Sequence, residues 1–151
     1  MAVVVRDFMN PTLLYIHEGD RLTLARGPIV GWGIMAVAVL DESHRPVGLV
    51  SLHDLEQGSR RTPRQAGEAG AVETVRDTES LEVAARKAAE ARHGNLHGHL
   101  VVVDEKGVAL GIVTSVDILR AMLGMKPRHA PILPNEASDE EKRAGSPAVP
   151  L

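Results

Sequence analysis

Short aliphatic runs separated by glycine, proline and charge set the rhythm of this chain. Ala2 to Val5, Leu13 to Ile16, Ile34 to Leu40 and Val47 to Val50 are too short for helices and are bounded by turn residues, so each predicts a strand. The turns fall at Met9-Asn10-Pro11, Glu18-Gly19-Asp20 and Asp41 to Pro46. Leu22 and Leu24 open a helical pattern that cannot continue well. Gly27, Pro28, Gly31 and Gly33 fall within seven positions, and glycine and proline are the costliest residues in a helix interior. A short or broken helix is expected there, and a second short helix over His53 to Gln57, ending at Gly58.

Residues 58–70 lack periodicity and are rich in breakers, which predicts a linker. Its Arg60, Arg61 and Arg64 are either solvated charge or contacts for a ligand phosphate. The same order of elements then returns. Ala71 to Val75 predicts a strand, Asp77 to Ser80 a helix cap, and Leu81 to His93 an alanine-rich helix ended by Gly94. Glu79 and Glu82 at its start and Arg92 and His93 at its end suit the helix dipole, and Glu82 with Arg86 is a favourable pair four apart. Leu100 to Val103 and Val108 to Val113 predict strands around the turn Asp104 to Gly107. The last helix is expected over Val116 to Leu123, with Ile118, Leu119 and Met122 inward. From Gly124 on, five prolines and a charged run predict an extended or disordered tail. The expected divisions are 1–57, 58–70, 71–123 and 124–151.

The two halves are copies. Gly48-Leu49-Val50-Ser51-Leu52-His53-Asp54 and Gly111-Ile112-Val113-Thr114-Ser115-Val116-Asp117 match at an offset of 63, the difference between 111 and 48. Val39 corresponds to Val102 at the same offset, but Leu22 corresponds to Leu81 at 59. The first half is therefore about one helical turn shorter between these points. The loss falls in its glycine-rich stretch.

Composition narrows the chemistry. The single Trp, Tyr and Phe leave no base-stacking surface, and a net charge of -3 with mixed signs provides no broad field for phosphate backbones. Nucleic acid is not an expected partner. With no cysteine there is no disulfide framework, thiolate metal site or cysteine nucleophile. No segment has the length and flanks of a signal peptide or membrane span, so a cytoplasmic protein with no membrane partner is expected. No Ser-His-Asp order, paired acids or glycine-rich phosphate loop points to catalysis.

Taken singly, each seven-residue motif is a helix cap: Ser51 or Thr114 caps exposed amides and Asp54 or Asp117 reaches back. Its repetition in register suggests more. The constellation resembles the CBS domain, named for cystathionine β-synthase, whose signature is Gly, apolar, any, Thr or Ser, any, any, Asp. Arg6-Asp7-Phe8-Met9-Asn10-Pro11 is similar to the family's opening and Val102-Val103-Asp104-Glu105-Lys106-Gly107 to its strand and turn. The resemblance spans Val3 to Leu123. It implies an α+β fold of two β-α-β-β-α repeats packed as an intramolecular pseudo-twofold pair, and a non-catalytic regulatory role.

The resemblance also implies an adenosyl ligand, AMP, ADP, ATP or S-adenosylmethionine, in clefts between the repeats. Asp117 and Asp54 would hold ribose, and Thr114, with Ser115 beside it, and Ser51 would face phosphate. Ile34, Val37 and Leu100 would flank adenine, with Val75 contributing from the first strand of its unit. His97 and His99 would sit at the mouth of the second cleft. That cleft, around Thr114 and Asp117, is the favoured one, because the other lies behind the shortened helix. Such pairs commonly form flat homodimers, and a regulated protein partner is possible.

Other readings remain open. The chain could be a degenerate CBS pair serving only as a structural dimerisation module. A weaker alternative is a histidine-based metal protein: His93, His97 and His99 form the only candidate cluster, and His97 and His99 would share a face of an extended stretch, but the local sequence supplies no third ligand beside them and no supporting carboxylates, so no metal is expected. Trp32 is a core or interface residue or stacks on a base, and His53 is a solvated residue or a pH-sensitive phosphate contact.

Overall fold

The computed structural model describes residues 2–31, 33–56, 72–93 and 96–128, with the backbone of 148–150. The proposed linker, Trp32, Gly94 and most of the segment after residue 128 lie outside the described residues. The first unit contains β1 (Leu13–His17), β2 (Ala36–Leu40), β3 (Pro46–Ser51) and a short helix α1 (Leu52–Glu56). The second contains β4 (Thr74–Arg76), α2 (Leu81–Glu90), β5 (Arg92–His93), β6 (Leu96–His97), β7 (His99–Val103), β8 (Ala109–Thr114) and α3 (Ser115–Met122). A final strand, β9 (Ala148–Pro150), pairs in parallel with β1 and gives the order β3-β2-β1-β9; the second sheet is ordered β4-β7-β8.

The sheets repeat each other residue for residue. Tyr15 pairs with Ala38 in parallel as Thr74 pairs with Val101, and Ala36 pairs with Ser51 antiparallel as His99 pairs with Thr114. The offsets are 74 − 15 = 59 for the first strands and 101 − 38 = 63 for the second, so the four missing residues lie between β1 and β2. There the first unit has only a 3-10 turn, Leu22–Ala25, and a π turn, Gly27–Gly31, where the second has the ten-residue α2. The broken helix follows from the glycines and Pro28. A β-bulge also recurs, between Val39 and Leu40 and between Val102 and Val103.

Asp41 and Asp104, which close the central strands, are turn residues in both copies. Oδ1 of Asp41 accepts from the Ser43 and Arg45 amides at 2.8 and 3.0 Å, and Oδ1 of Asp104 from the Lys106 and Val108 amides at 2.8 and 3.0 Å. Such side-chain to backbone bonds fix the turn without any ligand. The turns also join the units: the Ala109 amide donates to the His44 carbonyl, and Arg45 Nε to the Lys106 carbonyl.

Each sheet is buried on both faces, which explains the unbroken aliphatic runs Ala36–Leu40 and Leu100–Val103. Between the sheets lie Leu13, Tyr15, Ala38, Leu40 and Leu49 with Leu96, Val101 and Val103. On the outer faces, Ile16, Val37, Val39 and Val50 pack on Leu22 and Ile29, and Val75, Leu100, Val102 and Val113 pack on α2 and Ile118.

Three expectations are corrected. Ala2 to Val5 forms no strand: Val5–Asp7 is a 3-10 turn docked on the second unit, where the Val5 and Arg6 amides donate to the Glu79 and Asp77 carbonyls. Val5 and Phe8 enter that unit's core. The alanine-rich helix stops at Glu90 rather than His93, because Arg92–His93 turns into a hairpin with Leu96–His97 that carries Leu96 between the sheets. On α3 only Ile118 of the three expected residues is inward; Leu119 and Met122 are 56% and 62% exposed, since the cluster beneath accommodates Ile118 and Ala121.

Candidate functional site

Each motif places its hydroxyl at a strand end and its aspartate in the first turn of the following helix. Oδ2 of Asp117 accepts from the Thr114 amide at 2.9 Å and the Thr114 hydroxyl at 3.0 Å. Oδ2 of Asp54 accepts from the Ser51 amide at 2.7 Å and hydroxyl at 3.0 Å. Both hydroxyl hydrogens are thereby committed to the aspartates. Thr114 and Ser51 thus orient the carboxylates.

The motif's glycine has a separate cause. The Asn10 and Ile112 backbones exchange hydrogen bonds at 2.8 and 3.0 Å, and a Cβ on Gly111 would collide with the Asn10 carbonyl. Only glycine lets the opening segment pass this close. Asn10 and Ile112 then become walls of a cleft.

That cleft, about 270 Å³, lies between the units. Asn10, Thr12, Leu13, Leu14, Gly33, Ile34, Met35 and Ala36 line it from the first unit; His99, Ile112, Thr114 and Asp117 line it from the second, with Arg128 beyond α3. Oδ1 of Asp117 is 3.7 Å from an Arg128 guanidinium nitrogen. Burial pushes the His99 imidazole below its ordinary pKa, against the contact with the His97 carbonyl at 3.1 Å and the charge of Asp117, so the ring is neutral at neutral pH.

The cleft at the first motif is also about 270 Å³ but mainly apolar, with Ile29, Ile34, Met35, Leu52 and Leu96 around Ser51 and His53. Gly33, Ile34 and Met35 are walls of both. Asp54 is absent from this wall. It is as buried as Asp117, at 8% against 6% exposed, and its Oδ2 lies 3.5 Å from Nε2 of His93. Burial would raise the Asp54 carboxyl, but the His93 contact and the two Ser51 donors hold it below the usual carboxylate range. Among the described residues neither ring nitrogen of His93 has a hydrogen-bond partner.

Of the residues expected at the second cleft, Thr114, Asp117, His99 and Ile34 line it. Ser115 is exposed just outside, against Gly98, and His97 is exposed away from the wall. Leu100, Val37 and Val75 are at most 1% exposed and belong to the core, so the Leu100 and Val37 side chains do not flank a base and the Val75 side chain forms no cleft wall. Their aliphatic character reflected sheet packing. Asn10, Thr12, Met35, Ile112 and Arg128 carried no cleft signal in the sequence, because distant segments bring them together. Among the described residues no three metal-ligating side chains converge, and no helix is long and apolar enough to cross a membrane.

Two mixed sheets with matching registers, facing each other across clefts at strand-to-helix motifs, define a tandem repeat module. The CBS domain profile matches residues 5–57 and 70–124, and the chain belongs to that family. Comparison with curated proteins finds no significant match. CBSX2 from Arabidopsis thaliana, solved in complex with AMP, is 27% identical, with 80% of this chain and 96% of that one covered at a TM-score of 0.66. The CBS domain pair of protein MJ0100, solved with 5′-methylthioadenosine and S-adenosyl-L-methionine, is 23% identical over 82% and 98% (TM-score 0.64). The CBS domain of a bacterial CNNM/CorC family Mg2+ transporter, solved with ATP, is 22% identical over 82% and 89% (TM-score 0.64).

Proposed function

We propose that this protein is a non-catalytic regulatory module that binds an adenosyl ligand in the cleft at Thr114 and Asp117. The observation that carries this reading is the division of labour on Asp117: Thr114 holds Oδ2 with two hydrogen bonds, while Oδ1 is turned to the cleft. A carboxylate so fixed can accept from both ribose hydroxyls. Ile34, Met35, Ala36 and Ile112 offer an apolar wall for the base, and neutral His99 can hydrogen-bond it. Resemblance to CBSX2, crystallised with AMP, supports the ligand class.

The first cleft is not an equal candidate, because Asp54 does not line it and has its Oδ2 against His93. Exposed Val116, Leu119, Met122 and Leu123 on and just after α3 give the second unit an apolar outer patch, and α1 adds the exposed Leu52. We take this as the surface of a homodimer, through which ligand binding would be signalled.

The test is calorimetry and thermal shift with AMP, ADP, ATP and S-adenosylmethionine on wild type and Asp117→Ala. The variant should lose about 1 kcal/mol of stability as a missing cap. It should also lose its response to ligand. Absence of heat and thermal shift with every adenosyl compound on wild type would overturn the reading in favour of a purely structural pair.

A further inference from the structure

The segment after α3 is folded back by a defined turn. Gly124, at φ 69°, follows the helix, and the Gly124 and Met125 amides donate to the Ala121 and Arg120 carbonyls, a Schellman arrangement. Arg120 then clasps the Lys126 carbonyl with Nε at 3.3 Å and a terminal nitrogen at 2.8 Å. Three residues beyond that turn's end, Arg128 lies in the cleft wall, half-exposed, against the oxygen of Asp117 that Thr114 leaves free.

We propose that Arg128 makes the second cleft selective for adenosyl ligands that carry a phosphate; this rests on the function proposed above. A ribose taking Oδ1 of Asp117 displaces the guanidinium. A phosphate supplies the replacement anion, and adenosine does not. S-adenosylmethionine brings a sulfonium and an ammonium against a single carboxylate, so its tail is net cationic and offers the displaced guanidinium a poorer anion than a phosphate does. The Thr114 hydroxyl donates to Asp117 and would have to give up that bond to serve a phosphate. Among the described groups lining the cleft, the charged or titratable ones are Asp117, Arg128 and His99, and His99 is held neutral. Arg128 is therefore the cation available to the ligand. The first motif lacks this exchange, because the group facing Asp54 is the buried His93.

The experiment is calorimetric titration of the full chain, wild type, Arg128→Gln and Arg128→Lys, with AMP, adenosine and S-adenosylmethionine at low and moderate salt. Arg128→Gln should weaken AMP about tenfold, as expected for a lost charge-assisted bond at a half-exposed site. Adenosine and S-adenosylmethionine should hold or tighten, by up to about fivefold, because an exposed ion pair no longer competes. Arg128→Lys should recover part of the AMP affinity. Added salt should weaken AMP binding to wild type more than to Arg128→Gln. Equal effects of Arg128→Gln on AMP and adenosine, or none on either, would overturn the proposal and leave adenosyl binding standing. Failure of all three compounds, and of ADP and ATP as well, to bind wild type would overturn both.

Discussion

Gly111→Ala tests how the opening segment is seated. The added Cβ meets the carbonyl oxygen of Asn10, with the Asn10 carbonyl carbon at 3.3 Å and Met9 Sδ at 3.4 Å. Because the oxygen is backbone, it can yield only by shifting the segment. That breaks the two Asn10–Ile112 bonds, at about 1 kcal/mol each net. Replacing glycine returns about 0.5 kcal/mol through the unfolded chain, and loosened packing of Phe8 and Met9 offsets it. The expected net loss is about 2 kcal/mol, or roughly 4–8 °C in Tm for a chain of this size. Urea unfolding and thermal melts of Gly111→Ala should be compared with Gly19→Ala, whose added Cβ meets nothing within 4 Å. Equality of the two variants within about 0.5 kcal/mol would refute the argument. Because Asn10 and Ile112 also line the cleft, AMP affinity should fall with stability.

Further outcomes follow from the same geometry. The pKa of His99 is lowered on folding, so the unfolded chain binds the proton more readily; stability should be full above about pH 6.5 and decline as pH falls through the lower folded value. Urea midpoints against pH for wild type and His99→Asn would show this, and an unchanged slope in the variant would exclude His99 as its source. Leu100→Ala should cost about 2–5 kcal/mol in urea unfolding, as a core truncation, whereas a cleft-wall leucine would cost far less. Leu119→Lys with Met122→Lys should convert a dimer to monomer in sedimentation without loss of secondary structure; an unchanged mass would remove the proposed homodimer surface.

What the sequence revealed and what it hid have different physical origins. The strands were legible because both faces of each sheet are buried, leaving continuous aliphatic runs at Ala36–Leu40 and Leu100–Val103. The broken first helix was legible because glycine and proline act locally. Thr114 and Asp117 were legible because a capping pattern is local and repeated. The docking of Val5 and Phe8 on the second unit is a tertiary event with no local mark. The same is true of Arg128, which is eleven positions from Asp117 (128 − 117) and reaches it only through the turn at Gly124. Leu100 and Val37 show the reverse error, since a buried strand residue and a base-flanking residue read alike. Asp54 and Asp117 match in sequence, yet one meets a buried histidine and the other an exposed arginine.

The strand Ala148–Pro150 also bears on how the molecule behaves among its own copies. It pairs with β1, which would otherwise present an open row of amides and carbonyls at the margin of the first sheet. Such a row is a template on which a strand from another molecule can add. The register Leu13 to Ala148 through Tyr15 to Pro150 puts a proline, which has no amide hydrogen, at one end of the new border. A chain cut after Arg128 would therefore be expected to aggregate by strand addition at β1, visible as growth in light scattering, even with both clefts intact.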